Sequence, residues 1–272
     1  MNLTYTSGRD GKVIDLGSPA GFADPSGGLR SSGWSYNLGY RRVKSMSYPA
    51  REVELAWFGT YANADELRMT ADADNMSGKN GLLTLDGWTQ RACIVAQQPS
   101  IYQAGRRAST IRVLLLDGFW WREKTKHFVA GLSSGGLNYP HDHPYDLSYS
   151  SGKGKVIIGS ELGADTRIVF YGPCTNPYIL VTAEDGSQNR YQVNESIASG
   201  SIVTIDATGD EKTVIKSDQY GNAQSVFSSA VRGSGHNAFA SLAKGESIVT
   251  WDGTFAFDII YRERDTEPLW NQ

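Results

Sequence analysis

Two cysteines, Cys93 and Cys174, are all that 272 residues contain. They lie too far apart for a CxxC-type metal or redox motif and are too few for a disulfide framework, so free, buried thiols are expected. Histidine is scarce as well, at four residues, which leaves little material for metal centres or imidazole catalysis. No run of about 18 apolar residues occurs, so no segment is expected to span a membrane. The opening MNLTYTSGRDGK has no apolar stretch of signal-peptide length, and synthesis in a cytoplasm without a conventional signal is expected. Charge of one sign is not in excess either. The 26 Lys+Arg against 29 Asp+Glu give −3, which excludes an overall basic footprint and argues against specific nucleic-acid binding.

What is present is glycine (30), tyrosine (14) and tryptophan (7), a mixture that suits many short strands joined by tight turns. With 40% hydrophobic and 20% charged residues the chain is globular, and its length allows one large β domain or two modest ones. Charge is unevenly split. Residues 1–130 carry +4 and residues 131–272 carry −7, as two halves with different neighbours would.

The first 130 residues read as an α+β unit. Leu3–Thr6 and Val13–Leu16 flank Asp10-Gly11, a hairpin turn signal. Residues 17–33, rich in Gly, Ser and Pro, read as a long excursion from the body, with Phe22 and Leu29 as its few apolar anchors. Arg51–Phe58 alternates as a half-buried strand does. One helix is predicted over Ala64–Ser77, with Asn63 as N-cap, Glu66 completing a capping box, Gly78 as C-cap, and Leu67, Ala71 and Met76 as its apolar stripe. A second hairpin turns at Asp86-Gly87, and a further turn at Asp117-Gly118 leads into Phe119-Trp120-Trp121-Arg122. Residues 131–154, dominated by turn formers, read as a linker. Residues 155–272 then hold eight short strands at even spacing, from Lys155–Ile158 to Phe255–Tyr261, as in a jelly-roll β-sandwich. Ala223–Val231 is ambiguous.

No pattern in the chain demands an enzyme, a cofactor or a metal. His141-Asp142-His143, with Asp146 nearby, could share a metal ion, yet Pro140 and Pro144 and the lack of further spaced ligands favour a turn. His236 lies in a glycine-rich turn. Gly152-Lys153-Gly154-Lys155 lacks phosphate-loop spacing and reads as linker. Glu161 with Asp165, and Glu184 with Asp185, fall at strand ends as solvated turn residues. Trp120 and Trp121 point to opposite faces, one to a core and one to an interface.

The stretch GLNYPHDHPYDLSYSS, the segment Gly172–Pro177 (GPCTNP) and the end LAKGESIVTWDGTFAFDIIYRERDTEPLW together resemble the distal tail proteins of phages with long, non-contractile tails. His141 and His143 stand where that family has aromatic residues. The resemblance implies a virion component at the tail tip, encoded by a phage or prophage. It implies a hexameric ring formed by a belt domain (1–130), docked on the tail tube protein above and the tail-associated hub protein below. It further implies an outward galectin-like β-sandwich (155–272) that carries receptor-binding proteins. The alternative is a carbohydrate-binding module that meets a cell-surface glycan. Candidates for the ring interface are Phe22, Leu29, Trp34, Tyr36, Trp57 and Trp121.

Overall fold

Alternation of apolar and polar residues governs most of the chain, and the computed structural model is accordingly mainly β. It describes residues 2–18, 21–24, 28–30, 33–103, 105–131, 152–209 and 211–268. Two compact units emerge. Unit 1 runs to Arg122 and regains the chain at Arg264, while unit 2 is Glu123–Glu263. The division therefore falls eight residues before the expected 130/131 position, and the last segment belongs with the first unit. Of the expected linker 131–154, residues 132–151 lie outside the described ones. Its described end opens the strand Gly152–Ile158, so Gly152–Lys155 is strand and not linker.

In unit 1, antiparallel pairing runs from Gly17–Ser18 through Gly21–Ala23, Arg51–Thr60, Arg106–Leu115 and Trp88–Gln103 to Gly81–Leu85, Leu3–Thr6 and Val13–Asp15. Along Arg51–Thr60, Val53, Leu55 and Trp57 point into the core, while Glu52, Glu54, Ala56 and Phe58 stay outside. The helix, Tyr61–Ser77, follows this strand without a break. Its N-cap is Thr60, whose hydroxyl accepts the Asn63 N–H at 3.2 Å. The cap thus sits three residues before the expected Asn63, because the strand delivers a hydroxyl residue in extended conformation to the helix start. Gly78 closes the helix in the left-handed region as expected (φ 63). Ala64, Leu67 and Ala71 are buried, whereas Met76, expected on the same stripe, is 89% exposed.

Asp74, on the buried face of the helix, ties the amino-terminal hairpin down. It accepts from Tyr5 Oη (2.8 Å), Ser7 Oγ (2.7 Å) and the backbone N–H groups of Gly8 (3.2 Å) and Arg9 (3.1 Å). Burial, and then the bond to Asp74, pushes the Tyr5 hydroxyl far up, so it remains a donor.

The described parts of 17–33 are not an excursion. Gly21–Ala23 pairs with Arg51–Thr60, Ala23 and Leu29 are in the core, and Arg30 reaches Asp86 Oδ2 at 2.6 Å and the carbonyl of Pro268 at 2.6 Å. Burial of these side chains holds the described parts of the segment on the body.

Unit 2 is a two-layer sandwich. One sheet contains Ala223–Ser225, Thr213–Ser217, Ile202–Asp206, Ala164–Tyr171 and Phe257–Asp265, in that order. The other contains Gly152–Ile158, Gly245–Trp251, Tyr178–Thr182 and Gln188–Gln192. Inward residues of both, among them Ile168, Phe170, Val203, Phe257, Ile179 and Val249, form one core. Phe128 stacks on Phe257 at 4.5 Å, and Trp251 meets Phe257 edge-on at 5.1 Å. The ambiguous stretch resolves as the strand Ala223–Ser225 and a single 3-10 turn, Phe227–Ser229.

Candidate assembly surface

The surface feature that stands out lies in unit 1. Ser35–Gly39 and Arg42–Ser47 pair only with each other, forming a two-stranded sheet with no buried residue. In its register Tyr36 faces Met46 and Leu38 faces Val43, so these four side chains share one face. All are at least half exposed, from Val43 at 50% to Leu38 at 68%. The opposite face carries Ser35, Asn37, Ser45 and Ser47, with an Asn37–Ser45 hydrogen bond of 3.1 Å. The hairpin is therefore amphipathic with its apolar side in water. An isolated two-stranded hairpin is only marginally stable in water, and burial of its apolar side would stabilise it.

Its root, in contrast, is anchored. Trp34 meets Tyr48 edge-on at 5.4 Å, and Tyr48 Oη donates to the Thr266 carbonyl at 2.9 Å. Gly118, at φ 71, lies so close to the Tyr48 carbonyl that a side chain there would collide with it. At the tip the cation of Arg41 sits over the Tyr40 ring at 5.0 Å. Arg41, Arg42 and Lys44 have no carboxylate partner among the described residues, and residues 33–50 contain no acid.

The sequence-derived interface candidates separate on burial. Leu29 and Trp57 are in the core at 0% and 2% exposure and have no side-chain surface left for a neighbour. Trp120 is core and Trp121 half-buried. Phe22, Trp34 and Tyr36 are exposed, and Phe22 pairs across the sheet with exposed Phe58. Leu38, Val43 and Met46 were missed by the sequence reading. The signal that could have found them is the alternation Tyr36, Leu38 followed by a cationic turn.

The chemistry-bearing residues resolve into structural roles. His141, His143 and Asp146 lie outside the described residues. His236 is in a short exposed hairpin, Arg232–Gly233 with His236–Asn237. Glu161 pairs with Lys244, and Asp165 accepts from Ser241 Oγ at 2.9 Å. Asp185 accepts the Ser187 N–H at 2.8 Å, and hydrogen bonding from Ser187 holds its carboxyl low, as in a turn. Both cysteines are free but half-buried where burial was expected; burial, with nearby Asp74, pushes the Cys93 thiol up, away from reactivity.

Two clusters in unit 2 escape the sequence. His127 Nδ1 lies 2.7 Å from Asp258 Oδ1, and Tyr171 Oη donates to Asp258 Oδ2 at 2.7 Å. Burial, then Asp258, pushes Tyr171 up to about 12. Among the described residues no serine, threonine or cysteine bonds to that imidazole, so the cluster lacks a nucleophile. In the second, Asp206 accepts from Arg167 Nε (2.7 Å) and from the Thr208 hydroxyl (2.6 Å) and backbone N–H (2.8 Å). Burial raises the Asp206 carboxyl, but these bonds outweigh it and hold the group below its ordinary 3.8. A lowered carboxylate contributes stability above its unfolded value and loses it as pH falls through the folded one. Unit 2 should therefore weaken below pH 3.8, and Asp206→Asn should flatten that acid limb in circular-dichroism melts. An unchanged acid limb would refute this.

The fold matches solved phage structures over nearly its full length. The SPP1 Dit (gp 19.1) protein, described as a paradigm of the hub adsorption apparatus in phages that infect Gram-positive bacteria, superposes with a TM-score of 0.54. It is 12% identical, with 97% of this chain and 99% of that one covered. A chain of the phage P2 baseplate in its activated conformation with Ca gives a TM-score of 0.55 and 12% identity, covering 98% and 100%. No family model and no curated protein matches the sequence. The chain thus has the fold of phage distal tail and baseplate proteins.

Proposed function

We propose that this chain is a structural component of a phage tail tip, with unit 1 forming a ring of six copies. The ring joins the tail tube protein to the tail-associated hub protein, and unit 2 carries receptor-binding proteins. The observation that carries this reading is the amphipathic Ser35–Ser47 hairpin, whose apolar side is unburied in a single copy. The full-length fold likeness to the SPP1 Dit protein and the P2 baseplate chain supports a structural, non-enzymatic role in the virion. Glycan binding is the weaker alternative. The rings of Tyr178 and Phe227 in the sandwich are covered by the guanidinium groups of Arg190 (3.7 Å) and Arg232 (4.4 Å), which removes two stacking platforms.

Light scattering on the purified full chain, with negative-stain imaging, tests the proposal. Six-fold rings or a hexamer mass are expected as concentration rises. A chain that stays monomeric throughout, with tube and hub proteins added, would overturn it.

A further inference from the structure

An open sheet edge lies in unit 2. Gly152–Ile158 ends the four-stranded sheet and pairs on one side with Gly245–Trp251, in an unbroken register from Gly152 opposite Trp251 to Ile158 opposite Gly245. On its other side none of its seven residues makes a backbone hydrogen bond among the described residues. The far edge of the same sheet is closed. There the Arg190 N–H donates to the Gly235 carbonyl at 3.0 Å and the Val231 N–H to the Gln192 carbonyl at 3.1 Å. The Asn189 amide donates to the Asn237 carbonyl and accepts the Asn237 N–H.

Proteins ordinarily blunt a free edge with a bulge, a proline, a very short strand or a lysine. Gly152–Ile158 has no bulge and no proline, and its seven residues contrast with the three of Ala223–Ser225 at the edge of the other sheet. Lys155, which could guard it, leans away across the sheet to Glu246 at 2.7 Å. Ile157 is left 61% exposed beside the edge, and Ile248 on the neighbouring strand 42%. The strand carries two lysines and no acid. The Lys155–Glu246 pair is exposed on both sides, and such a pair is weak enough to exchange for an arriving carboxylate. Gly154 is explained without a partner, since a side chain there would strike the Phe128 ring.

We infer that Gly152–Ile158 is a docking edge for an extended, proline-free segment of a partner protein in which acidic and apolar residues alternate. The segment adds as a further strand, its main chain taking up the free edge groups and its side chains lying beside Ile157 and Lys155. A second copy is the less suited occupant, because edge against edge sets two lysine-bearing strands side by side with no acid in either. The inference concerns a single copy of unit 2 and does not depend on assembly of unit 1.

Amide hydrogen exchange on the full chain, read by mass spectrometry, tests this with a synthetic peptide of alternating glutamate and valine as the probe. Saturating peptide is expected to slow exchange across 152–158 about tenfold and nowhere else in unit 2. The same peptide methylated on every backbone nitrogen should give no slowing, because it has no donor left for the edge. Ile157→Glu, at an exposed site, should weaken binding about tenfold in fluorescence anisotropy by setting like charges side by side. No slowing at 152–158, or equal slowing with the methylated peptide, would overturn the inference, and both are read on the wild-type chain. Unchanged binding to a folded Ile157→Glu chain would overturn it too. Slowing that appears without peptide as chain concentration rises would assign the edge to a second copy and refute the partner segment. None of these outcomes touches the tail-tip reading, which rests on the light scattering above.

Discussion

Replacing Asp74 with alanine is expected to cost unit 1 about 3–5 kcal/mol, the range for stranding a buried charged network. Four donors converge on this carboxylate, two from hydroxyls and two from backbone N–H groups, and the side chain is 1% exposed. Alanine supplies no acceptor, and each buried donor left unpaired costs about 1–3 kcal/mol, less where water enters. Asparagine is expected to fall between, since its oxygen still accepts while its NH2 group faces donors. Tryptophan fluorescence during urea unfolding reads the effect on the right unit. Trp57, Trp88 and Trp120 are buried in unit 1, against Trp251 in unit 2. A loss under about 1 kcal/mol would mean that water replaces the carboxylate without penalty.

The second large effect concerns Arg30. Its guanidinium bonds to Asp86 Oδ2 and to the Pro268 carbonyl, with both ionic side chains about nine-tenths buried. Asp86 also accepts the Asn2 N–H at 2.8 Å. Removing one partner leaves an uncompensated interior charge, so Arg30→Met should destabilise unit 1 by about 3–5 kcal/mol. Adding Asp86→Asn should restore part of that loss. Asparagine keeps an acceptor for Asn2 and tolerates the left-handed backbone at this turn (φ 50). Purely additive losses in the double-mutant cycle would show that the two side chains are not coupled.

These two networks also mark where sequence reading succeeds and fails. Eight of the strands described in the sandwich, all but Ala223–Ser225, were legible because period-two alternation and Gly, Asn or Asp turns are local signals. All eight recur near their expected places, Thr213–Ser217 and Gly245–Trp251 among them. The helix was legible, and its C-cap, but not its start, because Thr60 belongs to a strand and a cap at once. The segment 17–33 was misread for a different reason. Arg30 is held by groups 56 and 238 positions away, and nothing within the loop announces such partners. The hairpin was hidden by two irregularities. A register shift between Asn37 and Leu38 puts Val43 and Met46 three apart instead of two, and the turn uses Arg41 at φ 58 where Gly or Asn is usual. Leu29 and Trp57 misled as interface candidates because a large apolar side chain looks the same in sequence whether a core or a partner buries it.

The chain leaves unit 1 after Arg122 and re-enters it at Arg264, whose cation lies 5.2 Å from the Phe119 ring. Unit 2 is in this sense a cassette spliced into a host fold whose two cut ends lie side by side. A short splice between Arg122 and Arg264 should yield a minimal unit 1 that keeps Thr266 and Pro268 on Tyr48 and Arg30, where a simple C-terminal truncation would strip both away. The same geometry lets one sandwich be exchanged for another by recombination at two neighbouring points, with the host fold left intact.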